Sequence, residues 1–217
     1  MLLASQSWAN GERIPARFAA GRRDPATGEV GFSENVNPHL AWRELPAGAR
    51  SLVLVCHDFD VPSRGESVNR DDREIPSDLP RVDFFHWLLV DLPPRDGEIA
   101  EGAFSRGYVP HGKPGPAVDV PGFAGARQGI NDYTGWFASD PERRGDHHGY
   151  DGPFPPWNDS LVHHYVFTLY ALGVPRAPIE GRFAGPALRE AIRPHVLGEA
   201  THSGTYTLNR RLAERAA

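Results

Sequence analysis

Residues 51–62 read Ser51-Leu52-Val53-Leu54-Val55-Cys56-His57-Asp58-Phe59-Asp60-Val61-Pro62, a short apolar run that leads directly into a polar box. An apolar run this short, bounded by polar and turn-forming residues, is typical of a buried strand rather than a helix. Side chains alternate between the two sides of an extended chain, so we expect Asp58 and Asp60 on the same side. The stretch therefore predicts a strand with a pair of carboxylates at its end.

Two further segments have the same character. Residues 84–90 and 165–172 are short runs rich in aromatic, leucine and β-branched side chains, which favour strands. Weaker strand patterns cover residues 28–32 and 204–208. These runs predict a mainly β fold.

One segment carries a helical pattern. From Pro186 to about residue 200, Leu188, Ile192 and Val196 recur every four residues, and the proline suits a first helical turn. Pro194 lies inside the pattern and is expected to kink or split the helix. The sequence thus predicts a helix near 186–200 at the periphery of the β structure.

The composition is that of an ordinary folded protein. With 217 residues, 40% hydrophobic and 24% charged, the chain is expected to form one domain spanning 1–217. A net charge of −5 argues against a nucleic-acid partner. The single cysteine, Cys56, has no partner for an internal disulfide. No apolar run is long enough for membrane insertion and no signal-peptide pattern opens the chain, so we expect a cytoplasmic protein.

A long polar segment separates the first two predicted strands. Residues 64–82 show no periodicity, so we interpret them as a surface insertion loop. Loops of this length inside a compact domain are usually functional or mobile.

The candidate site consists of polar residues at the ends of the predicted strands, namely Asp58, Asp60, His86, His163 and Tyr165. If the three strands are neighbours, these side chains converge at one edge of the sheet. Imidazole N–H and phenol O–H groups donate hydrogen bonds to phosphate or carboxylate, and an aspartate can orient and charge a histidine. The pattern therefore predicts a pocket for a small anion.

Other interpretations of these residues stay open. A histidine inside a strand is often structural, and paired aspartates after a strand often form turns. Mixed Asp and His ligands could hold a metal ion, but the usual metal-ligand spacings are absent, so we expect no metal and no other cofactor. A hydrolase or isomerase that uses the Asp/His cluster is the alternative function, although the chain lacks Gly-x-Ser-x-Gly and Walker motifs.

In this order, the motifs resemble those of the phosphatidylethanolamine-binding protein family, also called Raf kinase inhibitor-like proteins, and in particular its bacterial and archaeal YbhB/YbcL-type branch. The resemblance spans roughly residues 35–210 and rests on these segments: Asn37-Pro38-His39-Leu40-Ala41-Trp42, Asp58-Phe59-Asp60-Val61-Pro62, Phe85-His86-Trp87, Gln128-Gly129-Ile130-Asn131-Asp132-Tyr133, Tyr150-Asp151-Gly152-Pro153-Phe154-Pro155-Pro156, and His163-His164-Tyr165-Val166-Phe167. Individually these patterns are weak, but their order and separations make the match specific.

This resemblance implies an antiparallel β-sandwich with a large central sheet, a smaller sheet and a few peripheral helices. It also implies a non-enzymatic binding protein whose cavity accepts phosphate-like anions. By position, the cavity would be lined by Asp58, His86, His163 and Tyr165, with Gly152 and Pro156 shaping its rim. Asp60, Pro62 and Phe84 would support it.

The expected partner is a small ligand with a phosphate or carboxylate group: a phospholipid headgroup, a nucleotide or a phosphorylated residue. The resemblance also implies a possible protein partner, a kinase or protease that the protein would regulate. Whether the protein forms a homodimer is left open. His86 and His163 would donate to the anion, so the affinity is expected to fall as the pH rises through the histidine range.

Overall fold

The computed structural model describes residues 1–215. Its ten strands are β1 (Leu2–Ala4), β2 (Gly21–Arg23), β3 (Val30–Phe32), β4 (Leu40–Arg43), β5 (Ser51–Pro62), β6 (Arg81–Leu92), β7 (Gly97–Ile99), β8 (Arg127–Gln128), β9 (His163–Leu172) and β10 (Val196–Tyr206). The helices are α1 (Tyr133–Trp136), α2 (Gly185–Ile192) and α3 (Arg210–Arg215), with 3-10 turns at Ala16–Phe18 and Arg193–His195.

A five-stranded antiparallel sheet in the order β10-β9-β5-β6-β8 forms the centre of the molecule. The three apolar runs of the sequence lie in β5, β6 and β9, which are adjacent, as the convergence of their polar ends requires. A three-stranded sheet, β1-β4-β7, and a hairpin, β2-β3, complete the β structure. The prediction of a mainly β fold with a large sheet, a smaller sheet and few helices is confirmed.

Apolar side chains cover both faces of the large sheet, because alternate residues of each strand point to opposite sides. The layer between the two sheets includes Trp42, Leu54, Cys56, Trp87 and Phe167. The layer under α2 includes Val53, Val55, Phe85, Leu188 and Ile192. Packing on both faces makes the large sheet a rigid support for the polar residues at its end.

The prediction of a helix near residues 186–200 is wrong for the second half of that range. The helix α2 ends at Ile192, one 3-10 turn follows, and the chain continues as strand β10 from Val196. Pro194 has no backbone N–H to donate, so an α-helix ends more easily here than it continues. Val196 still packs against the apolar layer under α2, but as a strand residue that pairs with Leu172. The weak strand pattern at 28–32 corresponds to β3, and that at 204–208 to the end of β10.

The loop between β5 and β6 is shorter than predicted and is firmly attached. It covers residues 63–80, since Arg81 and Val82 already belong to β6. Asn158 holds it by accepting from the N–H of Asn69 and donating to two loop carbonyl oxygens. Ile75 is fully buried and forms a bridge with Asp159. The loop is therefore part of the packed structure beside the site.

None of the helices within residues 1–215 has the length and apolarity that a membrane span requires.

Candidate functional site

Two irregularities in the pairing of β5 with β6 shape the site. Cys56 pairs with Trp87 and His57 pairs with Phe85, so His86 is an extra residue in its strand. A second shift follows Asp58. Such bulges redirect side chains and are common beside functional sites. Here the bulge lets His86 face the same cavity as Asp58.

The cavity lies at the end of the large sheet and has a volume of about 360 Å³. Asp58 lies between Phe84 on one neighbouring strand and Tyr165 on the other, its partners in the sheet register. Seven of the residues singled out in the sequence line the cavity: Asp58, Pro62, Phe84, His86, Pro156, His163 and Tyr165. The structure thus brings these residues together around one space.

Asp60 and Gly152 lie beside this lining rather than in it. The Asp60 carboxylate accepts hydrogen bonds from the backbone N–H and from Nδ1 of His164, both at 2.8 Å. Its own N–H donates to Oδ1 of Asp58 at 2.8 Å. Gly152 donates its N–H to Oδ1 of Asn35 and accepts from the hydroxyl of Tyr133. Both residues therefore hold the loops that carry the lining.

Gly152 occupies a position where a side chain would collide with the backbone. A Cβ atom placed there would lie 2.1 Å from the carbonyl oxygen of Phe18. Gly152→Ala is expected to lower the free energy of unfolding by about 1–3 kcal/mol because the backbone must move. Urea denaturation would measure this, with Gly31→Ala as the matched control. Gly31 lines the cavity but has open space around it, so an equal loss in both variants would contradict the steric explanation.

An ionic chain leads from the cavity into the protein. His163 Nδ1 lies 2.6 Å from Oδ2 of Asp58, and its Nε2 lies 3.1 Å from Oδ2 of Asp159. Burial of His163 opposes a positive charge, but the two carboxylates outweigh it and raise the pKa of His163 to about 9. His163 is thus a buried imidazolium with both N–H groups already donated to protein carboxylates.

His86 is held differently. Its Nδ1 lies 2.7 Å from the backbone carbonyl oxygen of Asp151, which can only accept, so Nδ1 carries the proton. Burial lowers the pKa of His86, although the nearby Asp58 charge acts in the opposite direction. In the neutral ring, Nε2 then presents a lone pair, and it has no partner among the described residues.

Tyr165 contributes a polar group without a partner. The residue is 1% exposed, and its hydroxyl has no hydrogen-bond partner within residues 1–215. Burial, followed by the neighbouring Asp58 carboxylate, raises the pKa of Tyr165 well above its usual value, so the hydroxyl keeps its proton. Because a buried polar group without a partner is costly, this hydroxyl points to a ligand or ordered water in the cavity.

Behind His86 lies a buried network centred on Asp151. The carboxylate of Asp151 accepts from the side-chain amides of Asn35 at 2.7 Å and Asn131 at 2.8 Å. It also forms an ion pair with Lys113, the only lysine of the chain. This network holds the segment whose carbonyl oxygen orients His86. The sequence showed Asn131 and Asp151 only as parts of motifs, and nothing in it pointed to Lys113.

The mouth of the cavity is aromatic, which strand patterns alone did not reveal. Its further lining residues include Phe32, Tyr133, Trp136, Phe137, Phe154 and Arg143. Phe32 and Trp136 are 44% and 50% exposed. Arg143 is the one lysine or arginine of the described lining; it pairs with Asp140 and stacks over Phe137. The cavity therefore has a polar floor, formed by Asp58, His86, His163 and Tyr165. Its walls are apolar, and its one lysine or arginine within residues 1–215 is the partly exposed Arg143.

Within the part of the chain that the structure describes, no three His, Cys, Asp or Glu side chains are grouped so as to hold a metal ion.

Fold and site together define a small β-sandwich protein with an aromatic-walled pocket at the end of its large sheet. Comparison with known proteins agrees with this class. The family profile described as phosphatidylethanolamine-binding protein matches residues 4–207, and the chain belongs to that family.

Individual relatives include the YbhB/YbcL-type proteins that the motifs indicated. The chain is 26% identical to the UPF0098 protein YbhB of Escherichia coli, over 95% of this chain and 100% of that one. A solved phosphatidylethanolamine-binding protein homologue from Chlamydia trachomatis is 26% identical, with a TM-score of 0.59 over 94% and 95% of the two chains. Escherichia coli YbcL shares the fold, with 21% identity and a TM-score of 0.64 over 95% and 97%.

Proposed function

We propose that this protein is a non-enzymatic binding protein whose pocket takes the phosphate or carboxylate group of a small ligand. The observation that carries the proposal is the hydroxyl of Tyr165, a buried donor on a residue that lines the cavity beside Asp58, without a hydrogen-bond partner among residues 1–215. An oxyanion in the cavity would accept this hydrogen bond. A phospholipid headgroup is the first ligand to test, because the family is named for one.

The floor accepts an anion only if protons accompany it. Asp58 can only accept hydrogen bonds, and neutral His86 presents a lone pair at Nε2. A phosphate that keeps a proton can donate it to Asp58, and a proton taken up by Nε2 turns His86 into a second donor. Binding should therefore consume protons, and the affinity should fall as the pH rises, as is also expected from the histidines in the sequence.

His163 has a different role in this proposal from the one that the motifs implied. Both of its N–H groups are engaged by carboxylates, so it neutralises Asp58 rather than donating to the ligand. The same contacts weigh against acid/base catalysis by His163, because neither ring nitrogen is free to exchange a proton with a substrate. Binding is thus the function that the floor supports best.

The walls and entrance favour a ligand larger than a bare anion. The aromatic side chains around the mouth provide apolar surface for the remainder of the molecule. Arg143 lies where it can offset the charge of a second acidic group. A ligand with an anionic head group joined to an apolar portion would match the polar floor and the apolar walls of the cavity.

The decisive variant is Tyr165→Phe, which removes only the hydroxyl. Because a hydrogen bond to a charged group contributes about 1.5–3 kcal/mol, affinity for phosphate should fall by roughly tenfold to a hundredfold. Isothermal titration calorimetry with phosphate, acetate, phosphoethanolamine and a phosphotyrosine peptide would measure this. Titration in buffers of different ionisation enthalpy would count the protons taken up.

Tyr206→Phe is the matched control, since its buried hydroxyl donates to the carbonyl oxygen of Gly21, outside the lining. It should bind as the wild type does. Equal affinities of wild type and Tyr165→Phe would refute the assigned donor. A folded wild-type protein that binds none of the four ligands would refute the anion pocket.

A further inference from the structure

We propose that Arg81 and Asp159, neither of which lines the pocket, are positioning residues that keep His163 protonated and thereby set the upper pH limit of anion binding. This inference rests on the proposed function, but its central step can be measured without any ligand. It concerns an ion pair that no sequence motif singled out.

The geometry forms a chain of alternating charges. Arg81 holds both carboxylate oxygens of Asp159, with Nη1 2.6 Å from Oδ2 and Nη2 3.1 Å from Oδ1. Asp159 meets Nε2 of His163, and Nδ1 of His163 meets Asp58 at the floor of the cavity. The Asp159, His163 and Asp58 side chains are almost fully buried, so water screens these charges little. Each charge is therefore balanced mainly by its neighbour in the chain.

Arg81 is fixed by more than its carboxylate partner. Its guanidinium also donates to the carbonyl oxygens of Asp60, at 2.8 Å, and Pro76, at 2.9 Å. Pro76 belongs to the 63–80 loop, whose residues Gly65, Val68 and Asn69 form part of the cavity wall. The ion pair thus connects a wall of the pocket to its floor and cannot easily rotate away.

Few other charges act on His163. From β5 it faces Asp58, from β6 it is near His86, and beside it on β9 lies the neutral Tyr165. On β10 its register partner is Tyr206, whose pKa burial raises to about 12. Asp159 and Arg81 complete the set. Of these groups, only the two carboxylates favour the imidazolium over the neutral ring.

The charge balance explains the consequence for binding. With His163 protonated, the chain carries two positive and two negative charges and presents no net charge to the cavity. When His163 loses its proton, one negative charge remains unbalanced next to the bound anion and repels it. Anion affinity should therefore fall a second time as the pH rises through about 9, the pKa of His163.

The test removes the outer pair without changing the net charge, by the double substitution Arg81→Gln and Asp159→Asn. Losing one of its two carboxylates should move the titration of His163 to lower pH, which NMR of the histidine ring measures directly. Acetate stays ionised above pH 6, so its affinity reports the protein alone. We expect wild type and variant to bind acetate equally near pH 6, and the variant to bind about twofold more weakly at pH 8, because a His163 pKa lowered by one unit roughly halves the protonated fraction there.

The double variant Arg127→Gln and Asp91→Asn is the matched control. The ion pair of Arg127 with Asp91 is similarly buried and nearly as short, at 2.7 Å against 2.6 Å, and lies outside the cavity lining. It should lose stability but keep the wild-type pH profile.

Should the first variant fail to fold, the wild-type titration still decides, because a His163 that is neutral at pH 7 overturns the inference. An unchanged titration of His163 in the folded variant overturns it as well, whereas absent acetate binding with a shifted titration would refute only the binding function.

Discussion

Asp151→Asn should lower the free energy of unfolding by about 3–5 kcal/mol, the usual cost of removing one partner of a buried ion pair. Asp151 is the acceptor for Lys113, Asn35 and Asn131 at once. An asparagine keeps the shape but leaves the Lys113 ammonium buried without a counter-charge. Urea denaturation at neutral pH would measure the loss.

Two comparisons separate the lost charge from a general packing defect. Adding Lys113→Met to Asp151→Asn removes the ammonium group that has lost its counter-charge, and it should restore part of the stability. Arg189→Gln breaks a more exposed pair with Asp83 and should cost less than about 1 kcal/mol. The role assigned to Asp151 fails if its substitution costs no more than that of Arg189.

The second large effect is a dependence of stability on pH. The pKa of His163 is about 9 in the folded protein against 6.5 for an ordinary histidine. The proton bound by His163 therefore stabilises the fold fully below pH 6.5, and this stabilisation is lost as the pH rises through 9. Each pKa unit of difference corresponds to about 1.4 kcal/mol, so the total loss should be about 3 kcal/mol. Urea denaturation at several pH values between 6 and 9.5 would measure it.

His163→Asn provides the reference, because asparagine can keep one hydrogen bond but does not titrate in this range. The stability difference between wild type and variant should shrink steadily from pH 6.5 to 9.5. A difference that stays constant over this range would show that His163 carries no extra proton in the folded state.

Much of the fold could be predicted from local patterns. The runs at 51–56, 84–90 and 165–172 are apolar, short and bounded by turn-forming residues, and all three became central strands. The prediction for 186–200 went wrong because a four-residue spacing of apolar side chains also occurs where a helix and a strand pack on the same face of a sheet. Val196 is partly buried against that layer and pairs with Leu172, a long-range contact that periodicity does not contain.

The candidate site shows the same division. Asp58, His86, His163 and Tyr165 could be singled out because polar side chains at the ends of apolar strands are unusual, and family motifs surround them. Asp159, Arg81 and Lys113 could not, because each lies in a segment of loop-like composition and acquires its partner only when distant segments meet. The bulge at His86 is likewise a property of strand pairing.

The amino-acid order alone predicted a mainly β chain with Asp58, His86, His163 and Tyr165 on three short strands, since strand formation and side-chain alternation depend on nearest neighbours. The antiparallel β-sandwich was implied only by the resemblance to the family. Only the tertiary structure decided what each of these groups can do. Two carboxylates from separate segments charge His163, and a backbone carbonyl oxygen sets the tautomer of His86. Burial leaves the hydroxyl of Tyr165 without a partner in the described part of the chain. The physical reason is that protonation and hydrogen-bonding capacity depend on solvent exclusion and on polar groups a few ångströms away. Asp58 and the Asp151 carbonyl oxygen come from segments far from their histidines in the chain, and Asp159, four residues from His163, is held in place by the distant Arg81.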